Sequence, residues 1–73
     1  MNTTKTTVGV QLNGKPAEVE DGASVSGLLE SLDLHPGMVV VELNREILPR
    51  DRYEEFTIGE GDTIELVHFV GGG

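Results

Sequence analysis

Cysteine is absent from the 73 residues. Without it, no disulfide or cysteine-held metal ion can stabilise the chain, and no side-chain thiol is available for chemistry. A single domain of this length has a small core, so its stability is marginal. The apolar fraction is also low, at 37%, but the apolar residues fall in short runs that favour a folded domain over a disordered one.

Basic residues are scarce, since five lysines and arginines stand against thirteen acidic residues and the formal net charge is −8. A nucleic-acid binder needs a basic footprint, so the composition argues against nucleic acid as a partner. The acidity agrees with simple solubility and also with electrostatic steering towards basic partner proteins.

Long apolar runs are missing too. No stretch approaches the length of a membrane span, and residues 1–7 lack the apolar core of a signal peptide. We therefore expect a cytoplasmic protein with no membrane partner.

The sequence also lacks the residue sets that usually indicate catalysis. His35 and His68 are its only histidines, and neither has the neighbours of a metal site, so no metal is expected. No glycine-rich phosphate loop follows a strand, so we expect no bound ATP or other cofactor. No Ser/His/Asp set is evident. The chain is interpreted as a protein substrate and not as an enzyme.

Carboxylates occur in two close pairs, Glu54 with Glu55 and Glu60 with Asp62. No calcium-loop pattern surrounds either pair. Both are therefore interpreted as lying on solvated faces of the domain or as contacting a partner. Three arginines cluster nearby and are expected either to pair with acids or to contact a partner: Arg45, Arg50 and Arg52.

The first third of the chain predicts a β-hairpin. Apolar residues occupy alternate positions from 8 to 12, a pattern typical of a strand with one buried face. Asn13-Gly14 predicts a tight turn, because both residues tolerate positive φ. Residues 16–20 predict a second strand, with Pro16 at its start or at a sheet edge because proline lacks a donor N–H.

A single amphipathic helix is predicted next. Ser24 is a good N-cap, since its hydroxyl can accept from the N–H groups of the first turn. Gly27 weakens the helix by roughly 1 kcal/mol relative to alanine, and it is interpreted as a close approach to a sheet. Pro36 disfavours the α conformation at His35 and is expected to end the helix. The apolar stripe spans about three turns and consists of Val25, Leu28, Leu29 and Leu32.

Three further strands are predicted over residues 38–43, 46–48 and 63–69. Turns are expected at residues 44–45 and 60–62, and a helical turn at residues 50–53. Phe56 and Ile58 are expected to pack into the core from an irregular segment. The lone helix must bury its stripe on the sheet, so we expect a two-layer α+β domain with a mixed sheet of four to five strands. The last strand is expected at the sheet centre beside the first.

The last strand runs into Gly71-Gly72-Gly73. At an average glycine usage of about 7%, three terminal glycines arise by chance in roughly 0.03% of chains. A frayed tail or a cloning scar would also end in this way. If the native chain ends at Gly73, its reactive group is the terminal carboxylate. We predict a domain over residues 1–70 and a flexible tail over residues 71–73.

Together these features resemble the ubiquitin-like β-grasp fold and, within it, the ThiS family of sulfur carriers of the thiamine pathway. The ending, residues 62–73 (DTIELVHFVGGG), is the most specific part of the resemblance. Three internal segments add to it in the same order: residues 12–15 (LNGK), 41–44 (VELN) and 46–50 (EILPR). The third glycine is a departure, because many such carriers end in two.

The resemblance implies a reaction cycle centred on Gly73. A ubiquitin-activating-like (ThiF-type) enzyme uses ATP to adenylate the carboxylate, and a sulfur donor such as a cysteine desulfurase converts it to a thiocarboxylate. Thiazole synthase (ThiG-type) then accepts the sulfur. Gly71 and Gly72 are expected to thread through a narrow channel, because they have no Cβ. The alternatives are the sulfur carrier of molybdopterin synthesis (MoaD-like), a ubiquitin-like protein modifier, and a passive binding module.

An exposed apolar patch is predicted beside the tail. Alternation turns Ile64 and Leu66 towards the helix and leaves the residues between and beyond them on the open face of the sheet. Ubiquitin-like proteins typically use this face, whereas the alternative is that apolar residues there fold over a core edge. The free carrier is expected to be a monomer. Partner contacts are predicted at Val40, Val67, Phe69 and Val70, with Val70-Gly71 as a hinge.

Overall fold

The computed structural model describes residues 6–69. They form five strands and one helix in the predicted order, and the strand ends lie within one residue of the predicted ones. Two 3-10 turns, Pro36–Met38 and Arg50–Arg52, complete the regular structure of the described residues. The strands are β1 (Thr7–Leu12), β2 (Lys15–Glu20), β3 (Val39–Leu43), β4 (Glu46–Ile47) and β5 (Thr63–His68), and the helix is α1 (Val25–Ser31).

Strand β5 lies at the centre of the sheet. The order across the sheet is β2-β1-β5-β3-β4. Strands β1 and β5 run parallel, and the other neighbours are antiparallel. The expectation of a mixed sheet with its last strand beside the first is therefore confirmed.

Both hairpins turn at an asparagine. Asn13 and Gly14 have φ values of 51° and 81°, and Asn44 and Arg45 have φ values of 52° and 72°. Two successive positive φ values are typical of a type I′ turn, whose twist matches that of the flanking strands. Both predicted turns are confirmed, and Arg45 adopts its conformation at a cost of about 1–2 kcal/mol.

The core lies between α1 and one face of the sheet. Ile58 is buried and Phe56 is half-buried, so both plug the core from an irregular segment as predicted. The Tyr53 hydroxyl is satisfied inside the core, because it donates to the carbonyl of Val39 at 3.1 Å. The buried apolar residues are Val10, Val19, Val25, Leu28, Leu29, Val39, Val41, Leu43, Tyr53, Ile58 and Ile64.

Helix α1 begins as predicted. The Ser24 hydroxyl accepts from the N–H of Gly27 at 3.0 Å, which satisfies one of the first-turn donors. The interpretation of Gly27 as a close approach to the sheet was wrong. A Cβ at this position would meet only the Ser24 hydroxyl oxygen, at 3.4 Å, which is an ordinary van der Waals contact.

The helix ends earlier than predicted. It has seven residues, about two turns, and Leu32 is its C-cap, with 42% of its surface exposed. Asp33 N–H donates to Glu30 O and Leu34 N–H donates to Leu29 O, the two bonds of a Schellman motif. Asp33 takes the positive φ of that motif, 62°, so the helix has stopped before Pro36. No helix within residues 6–69 is long and apolar enough to cross a bilayer.

Candidate functional site

The end of β5 determines where the chain leaves the sheet. The N–H of Phe69 still donates to the carbonyl of Met38, at 2.8 Å, so the chain is held beside the start of β3 up to this residue. The residues with predicted chemical roles follow directly but lie outside the described residues, and their roles stay predictions: Val70, Gly71, Gly72 and Gly73.

Asn13 holds β5 from one side. Its backbone N–H donates to Ile64 O at 2.9 Å, and its side-chain oxygen Oδ1 accepts from the N–H of Leu66 at 2.7 Å. The side chain thus adds one more hydrogen bond between the two strands, beyond the point where the chain leaves β1 for the hairpin turn. This contact joins residues 53 positions apart in sequence.

Asn44 holds the beginning of β5 from the other side. Its Oδ1 accepts from the N–H of Thr63 at 2.9 Å, and its own N–H donates to Thr63 O at 2.7 Å. Its Nδ2 donates to Asp62 Oδ1 at 3.1 Å. From the sequence, both asparagines predict turns and no further contact. The available signal was an asparagine at the first position of each tight turn, in the two strands expected to flank the last one.

The predicted patch lies on the sheet face opposite α1. Val40 is directly opposite Val67 in the β3–β5 ladder, and it lies between the buried residues Val39 and Val41 of its strand. Phe69 follows two positions after Val67, so it lies on the same face. Val67 and Phe69 are 52% and 49% exposed, and Val40 is half-buried. The shared face is confirmed, whereas the role of these residues as partner contacts stays a prediction.

An acidic pair adjoins this patch. Glu42 is directly opposite Glu65, one step along the same face from Val40 and Val67. Like charges directly opposite each other destabilise a sheet. In the described strands the positions facing this way include no lysine or arginine, so nothing there offsets the repulsion. A partner that supplied a basic group beside an apolar surface would complement both features.

Glu60 and Asp62 accept hydrogen bonds within the domain that the sequence does not predict, and Glu60 is also exposed, as expected of a solvated carboxylate. Glu60 Oε1 accepts from the N–H of Gly9 at 2.9 Å, and Asp62 Oδ2 accepts from the N–H of Gly59 at 2.8 Å. These bonds fix the turn that leads into β5. The residue pair Gly9 and Glu60 is separated by 51 positions, so no local pattern in the sequence indicates it.

Two of the three clustered arginines make contacts within the domain. Arg52 pairs with Glu55 at 3.4 Å between exposed side chains, and Arg50 Nε donates to Pro36 O at 3.0 Å. His35 Nδ1 accepts from the N–H of Gly37 at 2.9 Å, whereas His68 is exposed at the end of β5. Within residues 6–69, no group of three His, Asp or Glu side chains is arranged to hold a metal ion.

The fold and the site together define a class of protein. A hairpin, a helix and a second hairpin surround a final central strand that runs parallel to the first, which is the ubiquitin-like β-grasp arrangement. The segment that follows the central strand ends in three glycines. The model of the ThiS family matches residues 10–73, and the chain belongs to that family.

Known relatives agree with this assignment. The chain is 45% identical over 65 residues to the sulfur carrier protein ThiS of Bacillus subtilis, a match covering 88% of this chain and 98% of that protein. The crystal structure of the thiamine biosynthesis protein ThiS from Geobacter metallireducens superposes with a TM-score of 0.76 at 36% identity, covering 90% of this chain and 100% of that one.

A larger protein contains a similar segment. The thiazole synthase of Magnetococcus marinus is 42% identical over 64 residues, which cover 88% of this chain but only 20% of that protein.

Proposed function

We propose that this protein is the sulfur carrier for the thiazole part of thiamine, and that it carries sulfur as a thiocarboxylate on Gly73. One observation carries the proposal. A β-grasp domain holds its last strand at the centre of the sheet, and the family match continues from that strand through the glycines to residue 73. In this role the protein is a co-substrate of its partner enzymes and does not catalyse the reaction itself.

The chemistry belongs to the main chain. The sequence has no cysteine, so sulfur carried by this protein has to be bonded to the terminal acyl carbon. A carboxylate reacts poorly with nucleophiles because oxide is a poor leaving group. Adenylation by a partner that binds ATP provides a better leaving group and divides a difficult substitution into two easier steps. The terminal sulfur of a persulfide on a sulfur donor such as a cysteine desulfurase then displaces AMP and forms an acyl disulfide. A thiol of the donor reduces that disulfide, which releases the thiocarboxylate and leaves a disulfide on the donor.

The glycines separate recognition from reaction. An extended chain advances about 3.3 Å per residue, so residues 70–73 reach roughly 13 Å beyond the domain. Without Cβ atoms they fit a narrow channel, but ordering each of them on binding costs about 1–2 kcal/mol. Contacts made by the folded domain offset that cost.

The patch of Val40, Val67 and Phe69 is the surface best suited to provide those contacts. It lies beside the point where the chain leaves the sheet, and the pair Glu42–Glu65 adjoins it. We propose that the adenylating enzyme binds this surface first and that thiazole synthase binds it after sulfur transfer. The similar segment within a thiazole synthase supports the second assignment.

The test uses the absence of cysteine. The protein is incubated with the adenylating enzyme, ATP and a sulfur source, and then treated with a thiol-specific alkylating reagent. We expect one alkyl group per chain, because the thiocarboxylate is the only thiol-like group that can form. A chain lacking residues 71–73 is the control and should stay unlabelled, because no glycine end remains, while methionine oxidation gives no alkylation.

The alternatives predict different results. No labelling in the presence of a competent enzyme and sulfur source would overturn the proposal. Adducts with lysines of other proteins that depend on Gly73 would indicate a protein modifier. Rescue of a molybdenum-cofactor mutant, without rescue of a thiazole auxotroph, would indicate the molybdopterin pathway.

A further inference from the structure

The backbone groups of β5 alternate in direction. Phe69 N–H donates to Met38 O and Asn44 N–H donates to Thr63 O, so the odd-numbered residues direct their backbone groups towards β3. The even-numbered residues therefore direct theirs towards the opposite edge, where β1 lies.

Strand β1 covers only the first part of that edge. The last contacts come from Asn13, which donates to Ile64 O and accepts from Leu66 N–H. The chain then turns away at Gly14. Three backbone groups consequently have no hydrogen-bond partner among residues 6–69: the carbonyl of Leu66 and the N–H and carbonyl of His68.

The two outer edges of the sheet carry features that oppose strand addition. Strand β2 contains Pro16 and the charged residues Lys15, Glu18 and Glu20. Strand β4 has only two residues and is followed closely by Pro49. Natural proteins protect sheet edges with charge, proline and short strands. Residues 66–69 include no proline, lysine, arginine or acid, so this inner edge has no such protection.

We propose that the open edge of β5 at residues 66–68 pairs with an extended backbone segment of the adenylating enzyme. This inference rests on the proposed function. The chain continues from this edge directly into residues 70–73, so a strand paired with His68 would continue alongside the glycines. Glycines offer a partner nothing but backbone to recognise, and strand addition recognises backbone. The added strand therefore aligns the tail in the extended form that the reaction requires.

Charge favours a partner enzyme over a second copy of this chain as the occupant. Each copy has a net charge of −8, so two copies repel each other as they approach. The exposed Val67 and Phe69 flank the edge and extend the contact onto the sheet face. An enzyme segment with apolar side chains facing them fits both the edge and the patch.

Amide hydrogen exchange, measured residue by residue, tests the inference without altering the protein. In the free protein the His68 amide should exchange rapidly, because it has no acceptor within residues 6–69. Saturation with the adenylating enzyme should slow its exchange by about ten-fold or more. The Leu66 amide is the internal reference, since it is already bonded to Asn13 and should change little.

A matched pair of variants gives an independent measurement. His68→Pro removes the unpaired N–H while leaving the β3–β5 ladder intact, and Val67 before it already has the extended conformation that proline favours. His68→Ala removes the side chain and keeps the N–H. We expect His68→Pro to bind the enzyme roughly five- to ten-fold more weakly, and His68→Ala to bind like the wild type. Thermal unfolding of both variants shows whether the domain is intact.

The outcomes separate this inference from the proposed function. Thiocarboxylate formation together with unchanged His68 exchange in the complex overturns the strand-addition inference and leaves the carrier function standing. Protection of His68 that appears on concentrating the protein alone assigns the edge to a second copy and overturns the enzyme as its occupant. A competent enzyme that neither binds nor adenylates the chain overturns the proposed function and the inference together.

Discussion

Asn13 combines two functions in one residue. Its φ of 51° starts the first hairpin turn, and its side-chain oxygen accepts from the N–H of Leu66 in β5. Asn44 repeats the combination on the other side of β5, with Thr63 as the donor. Two side chains from neighbouring hairpins thus add to the backbone pairing that holds the central strand on both sides.

Replacing Asn13 by glycine should separate the two functions. Glycine tolerates the positive φ but removes the acceptor, so we expect a loss of about 1 kcal/mol in the free energy of unfolding. Urea denaturation monitored by circular dichroism measures it. Asn13→Asp keeps an acceptor at the same position and should lose less. Equal stability of Asn13→Gly and the wild type would contradict the role assigned to this hydrogen bond.

The residue scale is also where sequence analysis failed. The turn at residues 60–62 was predicted. The hydrogen bonds that Glu60 accepts from Gly9 and that Asp62 accepts from Asn44 were not. Each bond joins residues far apart in sequence. The first depends on how β1 lies beside β5, and the second on the register of β3 beside β5. No local pattern of acidic residues distinguishes such an anchor from a solvated carboxylate.

At the scale of elements, the strands were predicted well because alternation between buried and exposed positions is a local property. The two Asn turns and the Ser24 cap were predicted for the same reason. The end of α1 was not, because Asp33 takes a positive φ that usually calls for glycine. Leu32 fits the helical stripe by spacing alone, yet it lies beyond the last turn and is exposed.

Gly27 and Gly9 should respond in opposite ways to alanine. Gly27→Ala should raise the free energy of unfolding by about 0.5–1 kcal/mol, because alanine favours the helix and its Cβ finds only an ordinary contact. Gly9→Ala should lower it slightly, since the new Cβ would lie 3.2 Å from Glu60 Oε2, and a shift of that carboxylate strains the hydrogen bond it accepts from the N–H of Gly9. Thermal unfolding of the two variants tests the pair. A loss of stability in Gly27→Ala would instead support the interpretation of Gly27 as a close approach to the sheet.

At the scale of the whole molecule, charge is unevenly distributed. Glu42 and Glu65 lie on the open face beside the apolar patch, whereas Arg50 and Arg52 lie in the separate 3-10 turn Arg50–Arg52. A field of one sign around the patch accelerates encounters with a basic surface and is screened by salt.

Association with the proposed adenylating enzyme should therefore slow as salt is added. The Debye length falls from about 10 Å at 0.1 M to about 3 Å at 1 M, so the association rate constant should decrease across this range. Glu65→Gln should flatten the dependence, and it should also gain a few tenths of a kcal/mol in stability by relieving the repulsion from Glu42. Stopped-flow kinetics and denaturation measure the two effects. A rate constant independent of salt would contradict steering.

Because β5 lies at the centre of the sheet, a partner that binds the proposed patch would bind only a folded domain. Gln11 pairs with Thr63 although the two lie far apart in sequence, so β5 takes its place in the sheet only when distant parts of the chain have come together. The patch takes Val40 from one strand and Val67 from another, so it does not exist in a chain whose last strand is undocked. An unfolded or nicked chain would still display the glycines but would lack the surface beside them. Enzymes that require both would spend ATP only on intact carriers.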